Sequence, residues 1–217
     1  SHFNRENAGA APCVVIKSID TLEAQLKEAG FSNESIEDSK EGLRDGYLAG
    51  YDPNEDYVVI YDSNASEYEI IGYLWHENAH KEIGKVYTQE EIDNAFHFYF
   101  KNNIDKVYEL LKDYPESLVH EEALIKAFEK DYQHTLDVID GNDTETREKR
   151  MSFIEFFRPI VNNIRYGERE NTTGEQQGAK SVRPDNVGEL EVRNSETQRE
   201  TERREEGIQK VNSEIIS

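Results

Sequence analysis

A single cysteine among 217 residues leaves Cys13 without a disulfide partner and rules out a multi-thiolate metal site. No apolar run approaches the roughly 20 residues a membrane helix needs, and "SHFNRENAGAAP" has no apolar signal-peptide core. The expectation is therefore a cytoplasmic chain without membrane partners. Basic side chains are scarce as well: 25 Lys and Arg stand against 46 Asp and Glu, a formal charge of −21 at pH 7. Most of that deficit belongs to the first 166 residues, with 34 acidic and 17 basic side chains. Such a field repels phosphate backbones and anionic surfaces, so direct nucleic-acid binding is not expected.

Aromatic residues are absent from Gly167 onward, and no apolar period is sustained there. A segment of that kind cannot bury enough surface to offset its chain entropy, so residues 167–217 read as a disordered charged tail. Residues 1–12 read as a linker or cloning remnant, which leaves one domain over 13–166.

Within that domain the β-branched run "CVVIKS" (13–18) predicts a strand, and "DTLEAQLKEAG" (20–30) and residues 33–45 predict two helices. Two aromatic and β-branched runs flank the turn signal Asp52-Pro53-Asn54 and predict a hairpin over 46–65. A helix should follow, opened by a capping box of Ser66 and Glu69 and stopped at Gly84. Longer helical patterns cover 89–113 and 116–139, and a last helix after "DGNDTE" is expected to break at Pro159. The order predicts an α+β fold, a small mixed or antiparallel sheet followed by a mainly helical half.

The helix after the hairpin carries "LWHENAHKEIG" (74–84), the pattern H-E-x-x-H. Residues four apart on a helix sit about 40° apart around its axis, so His76 and His80 share a face and can converge on one ion. Imidazole pairs suit zinc, and a hydrolytic zinc site takes one further protein ligand and a water. Glu77, rotated by about 100° from His76, is placed to take a proton from that water, the role of a general base. The residues leave that further ligand to be found; the resemblance given below implies a glutamate on the helix over 116–139, where two neighbours compete. Helical phase puts Glu121 in the middle of the apolar stripe and Glu122 at its edge. Burial favours Glu121, whereas a ligand that faces a cleft favours Glu122.

The hairpin with Gly50-Tyr51, the run "YVVIYD", His76 to His80 and the stretch Glu121 to Phe128 together resemble a zincin-like, gluzincin-type metallopeptidase. Over roughly residues 13–140 the chain resembles the metallopeptidase domain of polyvalent proteins from bacteriophages and conjugative elements. The resemblance implies Zn2+ held by His76, His80 and Glu122, with Glu121 orienting a ligating histidine. It also implies Glu77 as general base, a protein or peptide substrate, and alignment of that substrate along "YVVIYD" if that strand lies at an edge. The rival reading is an acidic protein-binding module, either a DNA mimic or an inactive zincin scaffold.

His97, in the aromatic run "AFHFYF", reads as a packing residue, His120 as a surface residue and His134 as remote from the site. Twelve tyrosines give no means of choosing one that would stabilise an oxyanion.

Overall fold

A computed structural model describes residues 2–167. The residues beyond, where the charged tail is expected, lie outside the described part.

The fold is α+β. Its three-stranded mixed sheet consists of β1 (Cys13–Val15), β2 (Ala49–Asp52) and β3 (Tyr57–Ile60) in the order β1-β3-β2. β3 runs parallel to β1, with Val14 opposite Val59, and antiparallel to β2, with Tyr51 opposite Val58. "YVVIYD" is thus the source of the central strand, paired along both edges, and offers no edge to an extended peptide. That role is open only to the outer edges of β1 and β2. Side chains alternate across β3: Val58 and Ile60 join the main core, and Val59 joins a smaller one with Leu22, Leu26 and Ile36. The smaller core is roofed by α2 (Leu22–Glu28) and α3 (Asn33–Arg44).

On the opposite face of the sheet lies α4 (Glu67–Val86), the longest described helix. Its start is the expected capping box: the Ser66 hydroxyl accepts from the Glu69 N–H, and the Glu69 carboxylate accepts from the Ser66 N–H at 2.7 Å. Its end is not at Gly84; the helix continues to Val86 because Thr88 and Glu91 form a second capping box that starts the next helix. α4 packs along both α7 (Glu116–Lys130) and α9 (Glu148–Tyr166). Trp75 is wedged edge-on between Phe3 and Phe128, at 5.4 and 6.2 Å between ring centroids.

Two expected helices split, and one expected break is absent. The pattern over 89–113 splits into α5 (Gln89–Phe100) and α6 (Ile104–Leu110) at Lys101-Asn102-Asn103, where the two asparagines are poor helix formers. The pattern over 116–139 splits into α7 and α8 (Tyr132–Ile139) at Asp131, which is ion-paired to Arg150 of α9. Pro159, in contrast, does not interrupt α9. A proline ring pushes away the carbonyls of the preceding turn, and here the Tyr87 hydroxyl donates to the carbonyl of Phe156 at 2.7 Å while the two rings stack.

The N-terminal residues pack on the domain. α1 (His2–Glu6) buries Phe3, and Ala8 and Gly9 donate their N–H groups to the carbonyls of Arg165 and Ile164 at the end of α9. Asn78, one of the two unspecified positions of the H-E-x-x-H pattern, ties this segment down. Fully buried, it accepts the N–H of Ala11 at 2.7 Å and donates to the Leu74 carbonyl at 2.8 Å.

Truncating Asn78 would strand a buried N–H, a loss of about 1–3 kcal/mol. Asn78→Ala is therefore expected to lower the urea midpoint with an unchanged m-value. An unaltered midpoint would show that the strap contributes nothing to stability.

Candidate metal centre

His76 and His80 lie near the middle of α4, one turn apart, and face α7. Their Nε2 atoms approach each other at 3.1 Å, and Glu122 Oε2 comes in from α7 at 2.9 Å from His80 Nε2 and 3.7 Å from His76 Nε2. Each outward ring nitrogen has its own carboxylate. His76 Nδ1 is 2.8 Å from Glu129 Oε2, and His80 Nδ1 is 2.6 Å from Glu121 Oε1. An ionised carboxylate can only accept, so both Nδ1 atoms carry the donated proton and both Nε2 atoms are left to face Glu122.

That arrangement needs positive charge at its centre. Two imidazole lone pairs and a carboxylate oxygen at these separations repel one another unless a proton or a cation lies among them. Donors held 2.0–2.1 Å from a tetrahedral zinc ion are roughly 3.3 Å apart. The three observed separations, 3.1, 2.9 and 3.7 Å, bracket that value. Among the described residues, His76, His80 and Glu122 form the one group of histidine and acidic ligands compact enough to hold a metal ion.

The electrostatics point the same way. Burial pulls His76 down, but the carboxylates of Glu129 and Glu122 outweigh it and hold the ring up at about 10. His80 is likewise pulled down by burial and carried up to about 9 by hydrogen bonds to Glu121 and Glu122. Burial works against the charge of Glu122, yet Lys126 and His76 keep it ionised well below the usual carboxylate range. Without a metal, imidazole protons supply the positive charge that the carboxylates require.

Glu77 is set apart from this set. Burial is the largest influence on it and raises its carboxyl above the ordinary range, partly offset by His76 and His80. Its charge reaches Tyr61, whose ring lies over Gly42 and Gly50 beside the sheet. Glu77 follows His76 on α4 and feels the charges of the centre, while Glu122 closes the α7 side.

Three contributors went unrecognised in the sequence reading. Glu129 orients His76, Lys126 holds Glu122 Oε1 at 3.1 Å, and Tyr114, just before α7, hydrogen-bonds Glu122. The spacing of Glu122, Lys126 and Glu129 over two turns of an otherwise apolar face was a usable signal. The other histidines whose side chains are described lie elsewhere. His120 bridges Asp93 and Tyr108 and stacks on Phe96, His134 pairs with Asp143 and Glu145, and exposed His97 bonds the Asp93 carbonyl.

Compared with known proteins, the chain matches no family model, no curated protein and no solved structure. None of the described helices is long and apolar enough to cross a membrane.

A pH dependence follows for metal-free protein. Raised histidine values contribute stability that is complete below the unfolded value near 6.5 and is lost as pH rises through about 9 to 10. The depressed value of Glu122 contributes stability above about 4.5 that is lost on acidification. Thermal unfolding of the chelator-treated protein is expected to peak between about pH 5 and 6.5 and to fall toward pH 10. A melting temperature still rising from pH 7 to 9 would contradict the assignment.

Proposed function

We propose that the protein is a zinc-dependent metallopeptidase that hydrolyses peptide bonds in a protein or peptide substrate. The observation that carries the reading is the convergence of His76 Nε2, His80 Nε2 and Glu122 Oε2, with each outward imidazole nitrogen anchored on a separate carboxylate. Carboxylate–histidine–metal chains of this kind fix the ring orientation and raise ligand basicity.

In this reading His76, His80 and Glu122 hold the ion, and Glu121 and Glu129 keep the two rings aimed at it. Bound zinc supplies a Lewis acid that polarises a carbonyl and makes a water acidic. Glu77 accepts the proton of the attacking water. Its raised carboxyl makes it a better base than an ordinary glutamate and suits it to return the proton to the leaving amine.

The acidic character of the chain supports a second reading, an inactive scaffold that binds a basic partner. The two separate at Glu77, which a binding scaffold does not need.

Glu77→Gln is expected to keep zinc and fold while reducing cleavage of unfolded casein about 10²- to 10⁴-fold. Full activity in this variant would remove Glu77 as the general base, loss of metal would place it among the ligands, and zinc-loaded unsubstituted protein that leaves casein intact would remove the peptidase reading. Chelator competition ranks the remaining carboxylates. Glu121→Ala and Glu129→Ala are expected to cost about 10- to 100-fold in zinc affinity, and Glu122→Ala considerably more. The reverse order would move the third ligand away from Glu122.

A further inference from the structure

Lys126 is an anomaly in a site read as binding a dication. It lies one turn after Glu122 on α7, and its ammonium is 3.1 Å from Glu122 Oε1. Its neighbours are also those of the centre: Glu122, Tyr114 and Glu129 all raise its affinity for a proton against the effect of burial. An exposed i,i+4 pair would carry little meaning. This pair is different, since the glutamate side chain is only 6% exposed and its other oxygen is 2.9 Å from His80 Nε2.

The Glu122 carboxylate is thus divided. Oε2 faces the imidazoles, and Oε1 is claimed by the ammonium. The choice matters because a carboxylate can bind a cation through one oxygen or through both. One oxygen completes a three-ligand set and leaves the fourth tetrahedral position to water. Two oxygens fill that position and favour the larger coordination numbers of ions such as calcium. The geometry points to Lys126 as the positioning residue that restricts Glu122 to one-oxygen ligation, and so biases the centre toward small four-coordinate cations with an open position. A neutral residue here would remove the ammonium that draws Oε1 away from the ion. The inference rests on the metal reading given above, and its test separates the two.

Cobalt(II) reports coordination number directly, because four-coordinate centres absorb visible light several times more strongly than five- or six-coordinate ones. Chelator-treated protein reconstituted with Co2+ is expected to show the intense four-coordinate band. Lys126→Met should weaken that band severalfold, and Lys126→Arg, which keeps a cation on Glu122, should restore it. Should the methionine variant fail to fold, Lys126→Gln serves, its shorter neutral side chain being expected to cause the same weakening. A folded Met or Gln variant with the wild-type band would overturn the role of Lys126 and leave the metal reading intact. Wild-type protein that develops no cobalt band would overturn the metal reading and this inference with it.

Discussion

Three hydrogen-bond acceptors that meet, largely buried, between α4 and α7 cannot be held together without a positive charge among them, and much of the molecule is arranged around that requirement. His76, His80 and Glu122 are brought within 3.7 Å of one another by two helices locked through Trp75 and Phe128. A hydrophobic contact at one level of the helix pair thus sets the separation of charged groups at another. Burial would neutralise an isolated glutamate in this place. Lys126 and the imidazoles keep Glu122 ionised, and Glu121 and Glu129 keep the imidazoles basic.

The network has a clear polarity. Acidic groups surround the rings on their outward sides, and the inward nitrogens converge. Without metal the same carboxylates bind protons through the rings, so proton and cation compete for one set of atoms. The strap formed by residues 8–11 and Asn78 acts on the far side of α4 from the two histidines. It anchors the motif helix to the end of α9 through hydrogen bonds that do not depend on metal.

Legibility in the sequence followed the range of the interaction that decided each feature. The hairpin, the Ser66–Glu69 cap and the shared face of His76 and His80 are set within a few residues, and pattern reading found them. Helix phase put Glu121 in the middle of the apolar stripe and Glu122 at its edge, and the structure reverses their burial: the Glu122 side chain is 6% exposed and that of Glu121 16%. The structure puts Glu122 at the ring nitrogens that converge and Glu121 on the outward nitrogen of His80. Both glutamates therefore belong to the centre, in different roles. The breaks at Asn103 and Asp131 were missed because hydrophobic periodicity continues across them; at Asp131 the ion pair with Arg150 marks the break, and it joins residues far apart in sequence. Pro159 misled in the opposite sense, since Tyr87, from a distant turn, satisfies a carbonyl beside it. Asn78 was hidden inside a motif whose named residues drew attention to metal rather than to packing.

Whether the centre takes a divalent cation separates a metal site from a cluster held by protons alone. Elemental analysis of protein purified without chelator, read together with native mass, measures this most directly. One zinc per chain, absent from the His76→Ala variant, is the predicted result. A metal-free chain that stays metal-free after incubation with excess zinc would contradict the account, leaving the His-His-Glu convergence as a proton-stabilised structural cluster.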